Sequence, residues 1–328
     1  MIRGGALHTV AVMPHHLPHI ARGLRLAPVF VAAALVASPP AFATYPGHNG
    51  RLAFYSITDT GPQIFTVNKN GQDLRQLTHV TTGEAKFPDW SPDGRLIAFG
   101  IESDETANVA IMNADGSGLR ILPHAPGVYE SDPSFTPDGR RLIIDRFDGT
   151  NESAVSVKLD GSDPRTVATG TGEDPNLSPD GRSLTYLGHN NGEGPGALMA
   201  TSVPGNLLRQ VTPFSFDVGS KHDWAPDGKR LAITYNANFF IEGESANIAT
   251  MRPDGSDLQF VTHFTGGEVN ALFGSYSPNG RWIVFRLEDH GRYGLYKIRT
   301  DGTHMRAIMR LSDFAPRFID WGSRDGGR

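Results

Sequence analysis

The stretch Trp90-Ser91-Pro92-Asp93-Gly94-Arg95-Leu96-Ile97-Ala98-Phe99 decides the fold, because the chain repeats it. Later copies read Phe135-Thr136-Pro137-Asp138-Gly139-Arg140, Leu177-Ser178-Pro179-Asp180-Gly181-Arg182, Trp224-Ala225-Pro226-Asp227-Gly228-Lys229 and Tyr276-Ser277-Pro278-Asn279-Gly280-Arg281. A degenerate first copy, His48-Asn49-Gly50-Arg51-Leu52-Ala53-Phe54, keeps a turn and the strand after it. From Gly50 to Gly280 the turn glycines lie 44, 45, 42, 47 and 52 residues apart. A period of that length means a solenoid, a propeller or an array.

Each copy has one grammar. An aromatic or apolar residue ends a strand, and a turn reverses the chain. Proline presets φ at its first corner and glycine supplies the positive φ. The departing strands Leu96 to Phe99, Leu142 to Ile144, Leu231 to Ile233 and Trp282 to Phe285 are continuously apolar, which predicts cover on both faces. A second turn follows at Asn70-Gly71, Asp115-Gly116, Asp160-Gly161, Asp254-Gly255 and Asp301-Gly302, with Pro204-Gly205 as a variant. Such dipeptides are strong hairpin signals. Outer strands are expected after them, as in Asp73 to Thr78 and Asn206 to Thr212. Four antiparallel strands per repeat make a propeller blade.

The ends set the blade number. The first repeat lacks an inner strand, and Pro316-Arg317-Phe318-Ile319-Asp320-Trp321 matches Phe87-Pro88-Asp89-Trp90. The expected fold is therefore all-β: a six-bladed propeller over residues 46–321, closed by the C-terminal strand, with 322–328 as a tail. Closure removes the open sheet edges that invite aggregation.

Residues 1–43 read as a secretory signal. Arg22 and Arg25 give the positive end, Leu26 to Val36 the apolar core, and Ala41-Phe42-Ala43 a small-residue cleavage site. The apolar run is short of the ~20 residues a membrane span needs, so no stable membrane insertion is expected after cleavage. Cleavage would remove three arginines (Arg3, Arg22, Arg25) and no acid, leaving 27 bases against 35 acids, net −8. No basic stripe with interleaved aromatics occurs, which argues against nucleic acid. The absence of cysteine removes disulfides, thiolate metal sites and a thiol nucleophile.

The Trp-Ser-Pro-Asp-Gly-Arg-x-Ile-Ala-Phe unit, followed by Asp-Gly-Ser-x-Leu-Arg, resembles the repeat of the TolB-like six-bladed propellers. That resemblance implies a periplasmic or secreted protein that works by binding other proteins, with an envelope protein as partner. TolB proteins carry an α/β domain ahead of the propeller. No room for one exists between Ala43 and the first blade, so the expectation is a stand-alone, monomeric relative. The repeat residues, being turn and core residues, carry no function over.

Antiparallel order puts the uniform turns on one face and the variable loops on the other, where function resides on a rigid scaffold. That face collects Glu84, Glu102, Asp104, Glu105, Glu130, Glu152, Glu173, Glu242, Glu244 and Glu268. Glu84, Lys86, Glu130, Glu173, Glu268 and the Lys221-His222 pair precede or open the inner strands, and are the candidate binding residues at an acidic channel mouth. No catalytic residue, metal or cofactor is expected. Gly-x-Ser-x-Gly, His-Glu-x-x-His and Gly-x-x-x-x-Gly-Lys are all missing from the sequence. His79, His124 and His263 recur after the outer strands as repeat inheritance. Asp89, Asp132, Asp174, Asp223 and Asp320 are expected to hydrogen-bond neighbouring blades. The function so predicted is a non-catalytic protein-binding scaffold. Its alternatives are a lyase-like enzyme on carbohydrate and an ion or small-ligand site in the channel.

Overall fold

A computed structural model describes residues 47–190, 194–203, 207–238, 241 and 243–324. The predicted signal, the tail beyond Arg324, the Pro204-Gly205 turn and Glu242 lie outside the described residues.

Six sheets of four antiparallel strands surround a central channel. The inner strands are Glu84–Trp90, Tyr129–Phe135, Glu173–Leu177, Asp223–Trp224 and Val269–Tyr276 in the second to sixth blades, and Arg317–Arg324 in the first. This last strand pairs with His48–Thr58, setting Leu52 opposite Trp321 and Ala53 opposite Asp320. The ring therefore closes as the sequence predicts. One detail differs: His48-Asn49 is not a turn but extended strand, because Asn49 and His48 continue the pairing to Ser323 and Arg324. Gly50 permits this, since a Cβ there would lie 2.6 Å from the Ser323 carbonyl oxygen.

The repeated turn is built as its residue types dictate. In the second blade Ser91 Oγ donates to Asp93 Oδ1 (2.7 Å) and accepts from Leu96 N (2.9 Å), while Gly94 N donates to the Ser91 carbonyl. Gly94 sits at φ 68°, a conformation that costs a side-chain-bearing residue ~1–2 kcal/mol. Thr136–Asp138, Ser178–Asp180 and Ser277–Asn279 repeat the hydroxyl bond.

Outer strands are shorter than predicted, only Arg75–Gln76, Arg120–Ile121, Arg209–Gln210 and Gln259–Phe260 in four blades. A threonine after the strand takes over the ladder. Thr78, Thr212 and Thr262 accept from the amides of Ile64, Leu198 and Ile248 through their hydroxyls.

Six apolar clusters fill the spaces between neighbouring sheets, one at each interface. Phe54, Phe99 and Phe285, one per second strand in three blades, have no exposed surface. The continuous apolar runs are thus explained, as each sheet is covered on both faces. At the closing seam Trp321 and Ile319 pack with Leu52, Phe54 and Val284.

Candidate functional site

The inner strands break register at one shared place. A bulge falls between Lys86 and Asp89, Ser131 and Ser134, Glu173 and Asn176, and Leu272 and Ser275. Within it a non-glycine residue adopts positive φ: Phe87 (55°), Asp132 (44°), Asp174 (53°), Phe273 (60°) and Phe318 (49°) in the first blade. Bulges re-aim side chains, and here they turn one residue per blade toward the axis. Lys221 holds the corresponding position in the fifth blade.

This ring is divided. The sixth, first and second blades contribute phenylalanine, and the third, fourth and fifth contribute Asp132, Asp174 and Lys221. Phe318 meets Phe87 edge-on at 4.6 Å between ring centroids and Phe273 at 5.0 Å, with Tyr55 5.8 Å from Phe318. Such ring pairs contribute about 0.5–1.5 kcal/mol beyond their buried area.

Two residues further along, Asp89, Asp223 and Asp320 hold the next blade. Asp320 Oδ2 accepts from Trp90 N (2.8 Å), Asp89 Oδ2 from Phe135 N (2.8 Å) and Asp223 Oδ2 from Tyr276 N (2.7 Å). Asp174 accepts from His222 N at 3.1 Å. The expected bonding between blades is present. Asp132 and Asp174, however, make it from the axial position rather than from the one Asp89 uses.

Lys221, 7% exposed, lies in the field of Asp174, Asp320, Asp223 and Asp89. Burial opposes its charge, but the four carboxylates outweigh that and raise its pKa. Burial drives Asp89 up, and the neighbouring Asp320 adds to this. For Asp174 burial pushes up as well, yet His222 and Lys221 overcome it and hold the carboxyl below the usual range. His222, fully buried, shares a hydrogen bond of 2.9 Å between Nε2 and Thr185 Oγ1. Lys221 and His222 are therefore buried against the neighbouring blade and not exposed at a mouth.

The other candidates fall in separate places. Glu84 is ion-paired with Lys86, whose ammonium lies 3.5 Å from Glu102. Glu130, 2% exposed, is ion-paired with Arg146. Glu173 is exposed, with its Oε1 3.7 Å from His189 Nε2. Glu268 is exposed at the start of the sixth blade. Among the described residues no three His, Cys, Asp or Glu side chains are grouped to hold a metal ion. His124 Nε2 instead meets Asn108 Oδ1, and His79 Nδ1 meets Gln76 Nε2.

Two features escaped the sequence reading. One is the basic set Arg146, Arg286 and Arg317, which stands among the acids in addition to the expected Lys86 and Lys221. The other is the phenylalanine trio, legible as a phenylalanine three residues before an aromatic in Phe87-Pro88-Asp89-Trp90, Phe273-Gly274-Ser275-Tyr276 and Phe318-Ile319-Asp320-Trp321.

Between the third and fourth blades the loop-bearing face opens into a cleft of about 1110 Å³. Glu152, Glu173 and Asp148 line it beside Phe147, Leu208 and Phe214. Phe147 is 38% exposed and Leu208 51%. Asp145 lies close to the same carboxylates. Burial, reinforced by Glu152 and Glu173, lifts its pKa from 3.8 to about 7.

Residues 36–174 match the family described as the TolB beta propeller domain. The uncharacterized protein Atu1656 of Agrobacterium fabrum is 33% identical over 100 residues, 30% of each chain. The uncharacterized peptidase YuxL of Bacillus subtilis is 29% identical over 159 residues, 39% of this chain and 23% of that one. The matched stretches thus span less than a third of either relative. Among solved structures, TolB from Acinetobacter baumannii superposes with a TM-score of 0.67 at 17% identity, over 84% of this chain and 67% of that one. At such identity the likeness is one of fold. Repeat and ring closure make this chain a six-bladed β-propeller, and its residues 36–174 are similar to the TolB beta propeller domain.

Proposed function

We propose that the propeller is an exported, non-catalytic binding module that holds a protein partner on its loop-bearing face. The observation that carries this reading is the cleft between the third and fourth blades. It joins exposed apolar side chains (Phe147, Leu208) to the carboxylates Glu152, Glu173 and Asp148. Apolar surface next to charge of one sign marks an interaction site on a soluble scaffold. The complementary partner is a segment with basic and apolar residues. A closed ring orders little on docking, so more of the contact energy appears as affinity. The likeness to TolB structures supports the fold on which this reading rests, and residues 1–43 support export to the periplasm or beyond.

Full-length protein immobilised as bait in envelope extract tests the assignment. The charge-reversed variant Glu152→Lys/Glu173→Lys is expected to lose at least tenfold of the captured partner. Asp227→Lys, on the opposite face, should capture as the parent does. Equal capture by all three proteins would remove the cleft from the reading.

A further inference from the structure

Three cations converge on one phenol. Tyr55, on the second strand of the first blade, is 7% exposed, and burial raises its pKa. Arg317, Lys86 and Arg286 oppose that rise, Arg317 also through a side-chain hydrogen bond. Lys86 is satisfied by Glu84 and Glu102. The two arginines are not.

Arg286 is 6% exposed, and its Nη2 donates to Glu288 at 3.0 Å. Its Nε and Nη1 are buried without an acceptor, and so is Nε of Arg317. Among the described residues no carboxylate lies within ion-pair distance of Arg317. The Arg286 guanidinium stands over the Phe273 ring at 4.9 Å and the Tyr293 ring at 5.3 Å. Burial lowers its pKa, Glu288 opposes this, and the charge of Arg317 adds to the lowering. A buried donor left unsatisfied is costly, and more so when it is charged. An anion seated between the two guanidinium groups would relieve that cost at both.

We propose that Arg286, Arg317 and Tyr55 form a subsite for a monoanionic carboxylate, with Phe273, Phe318 and Phe87 as an apolar floor for the group beside it. Guanidinium forks pair with planar carboxylates through two parallel bonds. Phosphate could use the same forks, but Glu84, Glu102 and Glu288 stand close by, and a dianion would meet about twice their repulsion. The aromatic floor suits a carboxylate carried on an apolar or aromatic group. The subsite belongs to the sixth, first and second blades. It does not depend on the cleft between the third and fourth, so the two readings stand or fall separately.

Calorimetry on the full chain with four probes tests it. N-acetylphenylalanine offers a terminal carboxylate, N-acetyl-aspartyl-phenylalanine amide a side-chain one, N-acetylphenylalanine amide none, and inorganic phosphate the competing anion. At least one carboxylate should bind tenfold or more tightly than the neutral amide, and the tighter of the two names the source. Arg317→Gln and Arg286→Gln should each weaken that probe at least tenfold, with circular dichroism confirming the fold. If Arg286→Gln does not fold, the half-buried Arg317 carries the test alone. Acid and amide binding alike, no binding by either carboxylate, tighter binding of phosphate, or an unaffected Arg317→Gln would each overturn the assignment.

Discussion

Asp145 shows how strongly one side chain can depend on its surroundings. On the second strand of the third blade, it has a buried Oδ1 without a partner and a pKa near 7. An unfolded aspartate titrates near 3.8, so between about pH 4 and pH 7 the folded state binds more protons than the unfolded one. Stability then falls as pH rises through that window, the reverse of an ion-paired carboxylate. Asp145→Asn should therefore stabilise the protein at pH 8 by roughly 1–3 kcal/mol and change little at pH 4. Urea melts at the two pH values check this, and an equal effect at both would place Asp145 in an ordinary environment. Nothing in Leu142-Ile143-Ile144-Asp145 announces such a shift. It arises from burial, reinforced by Glu152 across a hairpin and Glu173 on the next blade.

Inner strands are the elements that join blade to blade. Asp320, Asp89 and Asp223 each accept a backbone N–H from the following strand. Truncating Asp89 removes the carboxylate that accepts from the Phe135 amide, and Asp89→Ala is expected to cost about 1–3 kcal/mol. Asp89→Asn keeps an acceptor oxygen and should lose less; chemical denaturation of the two variants makes the comparison. Equal losses would assign the effect to packing. The bonding role of this aspartate series was legible in the sequence, because Asp89-Trp90, Asp223-Trp224 and Asp320-Trp321 recur at one place in the repeat. Its division was less plain: Asp132-Pro133 and Asp174-Pro175 stand two positions earlier, level with Phe87-Pro88, and it is the bulge that gives that place its αL conformation. Local pattern identifies a strand but gives no signal for an αL residue that is not glycine.

At the scale of the whole molecule, the blade number and ring closure follow from the repeat and from the likeness of Pro316–Trp321 to Pro88–Trp90 and its flanks. The candidate sites do not, since each is assembled from residues of several blades that no spacing rule relates. Closure also makes a prediction. Joining residue 324 to residue 47 by a short linker and opening the chain between Thr265 and Gly266 preserves every pairing between strands. That permutant should melt in one cooperative transition near that of the parent. Deleting Arg317–Arg324 removes the inner strand of the first blade, and cooperative melting should be lost. Circular dichroism during heating distinguishes the two, and a cooperative deletion variant would mean that the seam is dispensable.

The seam has a consequence for biogenesis. The opening sheet waits for a strand that emerges last, so a growing or translocating polypeptide is an unfinished arc with two bare borders. Pairing across the greatest sequence separation is the slowest step to reach. During that delay, exchange of tails between two molecules competes with closure of one, so keeping nascent copies apart protects the yield of single rings.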